Sequence, residues 1–233
     1  MCMPKALIST LGFDEKFCYR AVLRHGIREG DKIILVTAKL VEKVLKAFDQ
    51  VRSFVTTSYG DKVSIKVVEL DPNDIVGSVK RMINEIKMLD DYEIIVNLSG
   101  GMRVLIFIVL LALMLSRVKI SKMEMELEDF SGVVELSPAL LEIPRMIAEL
   151  SEEKLEILKL IREGIDDVNS LALRLKKDES TIRRHLSDLE DLSLIIVERR
   201  KPMKVKLSPV AELMTSEQIG DIYFSCLALA TLY

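Results

Sequence analysis

Apolar positions along the first 130 residues fall into two alternating rhythms. Short runs rich in Ile and Val, at Lys5–Thr10, Lys32–Thr37, Val63–Leu70 and Glu93–Leu98, are apolar on both faces, as strands of a parallel sheet covered on both sides must be. Between them Val41, Val44, Leu45, Phe48 and Val55, and later Ile75, Val79, Met82 and Ile86, recur at helical spacing. Asp71-Pro72-Asn73-Asp74 supplies a turn and a cap before the helix that begins at Ile75. Strand and helix alternating four times predict an α/β fold, a Rossmann-like doubly wound parallel sheet. Two further runs, Met123–Leu127 and Val133–Leu136, joined through Asp129–Gly132, predict a β-hairpin that closes the domain.

Ser137-Pro138 and Ile143-Pro144 punctuate the chain after this point, and the rhythm changes. Ser151 caps a helix carrying Leu155, Leu158 and Ile161, which Gly164 ends. Val168, Leu171, Ala172 and Leu175 form the next, and Asp178 caps a third carrying Ile182, Leu186 and Leu189. Strands Leu194–Glu198 and Lys204–Leu207 follow, linked by the basic turn Arg199-Arg200-Lys201-Pro202-Met203. Three short helices and a hairpin are the layout of a winged helix-turn-helix. The expected organisation is therefore a Rossmann-like domain over 1–137, a linker over 138–150, a winged helix-turn-helix over 151–210 and a C-terminal helix over 211–233.

Composition narrows the class. With 49% apolar and 30% charged residues among 233, neither disorder nor a fibrous repeat fits. The longest apolar run, Val104–Leu115, is 12 residues, short of the roughly 18 to 20 that span a bilayer. It reads as a buried helix, and no membrane partner is expected. Cys2, Cys18 and Cys226 are odd in number and widely spaced, so neither a disulfide framework nor a metal site is written in the chain, and no cofactor is expected. The N-terminus carries no export pattern, and with these cysteines a reducing cytoplasm is the expected compartment. Only two glutamines and four asparagines beside abundant Lys and Glu lean toward a thermophile.

The third helix of the second domain carries a reading face. With Ile182, Leu186 and Leu189 turned to the core, a step of 100° per residue puts Ser180, Arg184 and Ser187 opposite, flanked by Thr181 and Arg183. Basic and hydroxyl residues sit in its N-terminal half and Asp188 and Asp191 come late, as in recognition helices that insert their N-terminal end into the major groove of double-stranded DNA. Arg199, Arg200, Lys201 and Lys204 would lie over a neighbouring run of phosphates. Between Arg174 and Lys206 ten basic residues face six acidic ones, in a chain of net charge −3. The same layout also serves winged helices that bind protein.

The first domain offers two loops at the carboxyl ends of strands, where open α/β sheets bind ligands. One is Thr10-Leu11-Gly12-Phe13-Asp14. The other is Asn97-Leu98-Ser99-Gly100-Gly101-Met102-Arg103, where paired glycines let backbone approach a ligand before a helix whose amides favour an anion. The glycines are equally compatible with a tight strand-to-helix turn. Neither loop is a G-x-G-x-x-G fingerprint or a P-loop. No histidine, carboxylate pair or Cys/His pair falls in them to form a catalytic constellation, so no catalytic residue is assigned.

These two loops, followed by a winged helix, resemble the CRISPR-associated Rossmann-fold (CARF) transcription regulators of archaeal type I-A systems. The likeness reaches about residue 210, and its most specific element is the strand followed by Asn97-Leu98-Ser99-Gly100-Gly101-Met102-Arg103. It implies a homodimer that binds cyclic oligoadenylate, an antiviral second messenger, across its two-fold axis, while the winged helices bind CRISPR-locus promoters. On this likeness Ser9, Thr10, Leu11, Gly12, Phe13, Asp14, Thr37, Asn97, Ser99, Gly100, Gly101, Met102 and Arg103 form the effector pocket. Some relatives cleave their ring slowly, so a ring nuclease using Ser9, Thr10 and Arg103, with the winged helix as a tether, is the enzymatic alternative. The all-round apolar helix Val104–Leu115 and the apolar tail Tyr223–Tyr233 are expected to contribute dimer contacts.

Overall fold

The computed structural model describes residues 3–215, in two compact units that divide between Leu141 and Glu142. In the first unit β1 (Lys5–Thr10), β2 (Lys32–Thr37), β3 (Ser64–Glu69), β4 (Glu93–Asn97), β5 (Lys122–Glu126) and β6 (Val133–Leu136) form one sheet in the order β3-β2-β1-β4-β5-β6. Every neighbouring pair is parallel except β5 and β6, the closing hairpin. Side chains alternate across the sheet because the strand period is two. Ala6 and Ile8 join Met82, Ile86, Ile108 and Val109 in one core, built with α3 (Ile75–Lys87) and α4 (Arg103–Ser116). Leu7, Ile33 and Leu35 join Val22, Val44 and Val51 in the other, with α1 (Lys16–His25) and α2 (Glu42–Tyr59). Both faces are thus covered, which is why the strands read as continuous apolar runs.

Local chemistry sets the helix limits. Asp74 caps α3, accepting the Gly77 N–H at 2.9 Å. Helix α4 buries Leu105, Ile108, Val109, Ala112 and Leu113 against the sheet and α3, yet Phe107, Met114 and Leu115 stay exposed as one stripe. Its apolar character all round is therefore covered on one side only within the unit. Among the described residues no helix is long and apolar enough to cross a membrane.

The stretch expected as a linker is helical, with a 3-10 turn over Pro138–Glu142 and α5 over Ile143–Glu149. Pro144 opens α5 rather than breaking the chain, since a proline in the first turn lacks only an N–H that has no helical partner there. In the second unit α6 (Glu152–Arg162), α7 (Val168–Leu175) and α8 (Glu179–Asp191) are followed by β7 (Ile195–Arg200), β8 (Met203–Leu207) and α9 (Pro209–Met214). Ser151 caps α6 and Asp167 caps α7 through side-chain acceptors. Asp178 stands at the start of α8, but its side chain makes no capping bond, a correction to the expected cap. Leu158, Leu171, Ile182, Leu186, Leu189, Leu194 and Val205 are each buried in this unit.

The wing departs from expectation in one respect. Strand β7 continues through Arg199 and Arg200, which pair with Lys204 and Met203 of β8, so the connection is only Lys201-Pro202. The charges do not end the strand, because an exposed two-stranded ribbon projects them into water at no desolvation cost. The segment 216–233, with most of the expected C-terminal helix and the Tyr223–Tyr233 tail, lies outside the described residues, as do Cys2 and Cys226.

Candidate functional site

After β1 the chain steps outward through β2 and β3, then returns to lay β4 on the opposite side of β1. That reversal leaves a crevice beyond the strand ends, the place where doubly wound sheets take ligands. The loops leaving β1 and β4 meet there, backbone against backbone. A Cβ on Gly12 would stand 2.8 Å from the Gly101 nitrogen, and one on Gly100 2.7 Å from the Thr10 carbonyl oxygen. Gly101 itself has φ +83°, a left-handed conformation that side chains resist. The glycines are required by the approach of the two loops.

The crevice has a volume of about 580 Å³ and is walled by Leu11, Gly12, Phe13, Asp14, Thr37, Ser99, Gly100, Gly101 and Met102. Met102 precedes α4 without a side-chain cap, so the first-turn amides meet no side-chain acceptor there and the positive helix end is open to an anion. Arg103, the first residue of α4, is exposed beside them but is not part of the wall.

Ser9, Thr10 and Asn97 do not line the crevice either; all three are fully buried. The Ser9 hydroxyl lies 3.3 Å from Cys18 Sγ. Burial, offset in part by this contact and reinforced by Asp14 and Glu15, pushes the Cys18 thiol up to about 11. Asn97 accepts the Ser99 N–H at 2.9 Å through its side-chain oxygen and donates from Nδ2 to the Phe17 carbonyl at 3.3 Å. It shapes the loop without facing a ligand. The Thr10 hydroxyl is buried with no hydrogen-bond partner among the described residues.

Phe17, Lys39, Pro72, Glu128 and Phe130 also line the crevice, and none stands out in the sequence as a site residue. Lys39 follows the C-terminal end of β2, where the rule for doubly wound sheets could have found it. Glu128 and Phe130 come from the β5–β6 turn and have no such signal. Behind that turn runs a closed circuit of contacts. Ser99 Oγ accepts the Glu126 N–H at 2.8 Å, and the buried Glu126 carboxylate binds Arg20 and Arg24 of α1. The Arg20 guanidinium lies 5.4 Å from the Phe130 ring centre, and that ring stacks on Phe17 at 4.9 Å. Phe17 returns the path to Asn97 and so to Ser99. Next to it Glu124 meets Arg24 and His25, each at 2.9 Å. Burial works against the Glu124 charge, but hydrogen bonds and charge from His25 and Arg24 outweigh it and hold the carboxyl below its ordinary range.

In the second unit α8 turns Ile182, Leu186 and Leu189 inward and leaves Ser180, Arg183, Arg184 and Ser187 exposed, with Thr181 half-buried. His185 is buried, its Nε2 3.2 Å from Glu153. Arg183 pairs with Glu179 at 3.3 Å, whereas Arg184 makes no salt bridge among the described residues. On the wing Arg200 meets Glu190 at 3.7 Å and Lys204 meets Asp166 at 3.2 Å, leaving Arg199 and Lys201 exposed without an ion pair among the described residues. Arg174 and Lys176, both within the basic stretch counted in the sequence, are exposed at the C-terminal end of α7. No group of His, Cys, Asp and Glu among the described residues could hold a metal ion.

Comparison with known proteins places both units. Residues 5–137 match the family described as the Csa3 CRISPR-associated Rossmann-like domain. Residues 139–197 match the arsR family of bacterial regulatory proteins, a helix-turn-helix family. No curated protein matches the chain.

Proposed function

The chain belongs to the Csa3 family of CRISPR-associated Rossmann-like proteins and carries an ArsR-type winged helix, and from that premise we propose that it is a dimeric regulator switched by cyclic oligoadenylate. A CRISPR-associated Rossmann domain joined to an ArsR-type DNA-binding domain is the architecture of a transcription regulator rather than of an enzyme. The finer reading is that cyclic tetra-adenylate binds in the crevice walled by Leu11–Asp14, Thr37 and Ser99–Met102. Two copies of the chain related by a two-fold axis share one ring.

The observation that carries this reading is the meeting of Gly12, Gly100 and Gly101 at the open start of α4. Side chains are excluded there by backbone contact, which leaves amides and the helix end to face a phosphate. Arg103 adds a positive charge at the rim. The exposed stripe of Phe107, Met114 and Leu115 on the same helix supports a second copy lying beside the crevice, because a monomer gains nothing by wetting it. Ser9 and Thr10, the hydroxyls that would begin ring cleavage, are both fully buried, Ser9 against Cys18, which favours binding over turnover.

Ser180, Thr181, Arg183, Arg184 and Ser187 read the major groove, and Arg199, Arg200, Lys201 and Lys204 hold phosphates. A symmetric ligand bound by two pockets acts on DNA binding only through its differential affinity for dimer geometries, shifting the spacing of two winged helices. Calorimetric titration of the full chain with cyclic tetra-adenylate, with and without promoter DNA, tests the proposal. Saturable binding of one ring per two chains, with altered DNA affinity, is the expected result; absence of ring binding overturns it.

A further inference from the structure

The β5–β6 turn places a carboxylate, Glu128, in the wall of a crevice whose other features attract an anion. Near a bound phosphate such a charge lowers affinity, unless the ligand also brings a hydrogen-bond donor to it. Glu128 has no hydrogen-bond or ion-pair partner among the described residues, so its acceptors are available. Phe13, two-thirds exposed at 67% in the opposite loop, offers an aromatic face in the same crevice. A phosphate site, an aromatic face and an unpaired acceptor fit one ligand class, a nucleotide whose base carries an amino group.

The turn is held in place. Leu127 donates its N–H to the Gly132 carbonyl and Phe130 to that of Leu127, both at 2.9 Å, while Asp129 accepts from the Ser131 N–H at 3.0 Å and hydroxyl at 2.6 Å. Phe130 sits at φ +58°, a left-handed conformation that a bulky residue resists. Its ring is fixed by the stack on Phe17 and by the guanidinium of Arg20, and Arg20 is anchored to buried Glu126. A glycine would relieve the backbone and lose the ring that binds the turn to α1.

We infer that Glu128 is the base-reading residue of the crevice, selecting an amino-bearing base such as adenine over uracil, and that Arg20 is a positioning residue that aims it. Adenine offers its exocyclic amino group to the carboxylate. Uracil offers only its N3–H, set between two carbonyl oxygens that a carboxylate repels, so its approach is the poorer one. Discrimination by a polar group works through the unpaired or repelled acceptor in the wrong complex, so it moves the ratio of affinities more than the mean. This inference rests on the nucleotide reading of the crevice.

The test titrates the full chain with cyclic tetra-adenylate and with cyclic tetra-uridylate. Wild type should prefer the adenine ring by tenfold or more. Glu128→Ala should lower adenine-ring affinity by about tenfold and leave the uracil ring unchanged or improved, so that the preference collapses. Arg20→Ala should reduce the preference in the same direction, with Arg20→Lys restoring part of it. A merely structural role for Arg20 would weaken both rings alike. Arg103→Ala should weaken both rings equally, since it acts on the phosphates. Glu128→Ala that changes both affinities by one factor, or neither, overturns the inference while leaving the nucleotide reading intact. A wild-type chain that binds neither ring overturns both. Thermal melting shows whether each variant is folded, and Glu128, exposed on a turn, can be replaced without opening the core.

Discussion

Gly12 and Gly101 approach so closely that a Cβ on the first would stand 2.8 Å from the nitrogen of the second. No rotamer change relieves that contact, because both partners are backbone. Gly12→Ala and Gly100→Ala should therefore each destabilise the Rossmann unit by about 1 to 3 kcal/mol, the usual cost of overpacking, and abolish ring binding. Gly132→Ala is the control, since its Cβ would meet only Leu127 Cδ1 at 3.9 Å, and it should be close to neutral. Urea denaturation of the three variants checks the order.

The proposed ligand and DNA contacts lie in different units, so their losses should separate. Arg103→Ala should remove a charge-assisted contact of about 1.5 to 3 kcal/mol to the ring and keep ligand-free DNA affinity within a few fold. Arg184→Ala should do the reverse, costing about 1 to 3 kcal/mol of DNA affinity if it pairs with a base edge. Fluorescence anisotropy on promoter DNA, paired with calorimetry on the ring, reads both. Equal ring affinity in wild type and Arg103→Ala would mean that Ser99–Arg103 is only a turn.

On the wing, Arg199 and Lys201 have no ion pair among the described residues, while Arg200 and Lys204 are occupied by Glu190 and Asp166. Arg199→Ala and Lys201→Ala should each lower the salt slope of DNA binding by about 1, without changing sequence preference. Arg200→Ala and Lys204→Ala should change it less, because an intramolecular pair already neutralises part of their charge. Affinity measured from low to moderate salt distinguishes the two sets.

Acid should find the Rossmann unit through Glu124. Its carboxyl is held below the ordinary value of 4.5 in the folded chain, so the stabilisation it contributes is full above about that pH and is lost as pH falls through the folded value. Glu124→Gln should therefore be clearly less stable than wild type at neutral pH, and the gap should close as pH falls below the ordinary carboxylate range and through the lowered folded value. Urea midpoints across that range test the sign; a gap that widens toward acid would refute it.

Cys18, with its thiol pushed up to about 11 by burial, should resist alkylation at pH 8 in the native state and react on unfolding. Mass spectrometry after iodoacetamide treatment, with and without urea, locates the modified residue.

Two kinds of information were distributed differently along this chain. Strands such as Lys5–Thr10 and Lys32–Thr37 and the buried and exposed faces of α8 were legible in the sequence, because a strand buried on both sides or a half-buried helix imposes its own period on near neighbours. The glycine loops were legible as well, since they lie where a doubly wound sheet must leave its crevice. Tertiary structure decided which side chains face that crevice. Ser9 and Asn97 turn away because their partners, Cys18 and the Phe17 carbonyl, stand 9 and 80 positions distant, and Glu128 and Phe130 enter because α1 clamps the β5–β6 turn through Arg20 and Phe17. Local periodicity is set within a few residues, whereas the wall of a crevice is set by contacts between segments that meet only once the sheet has closed.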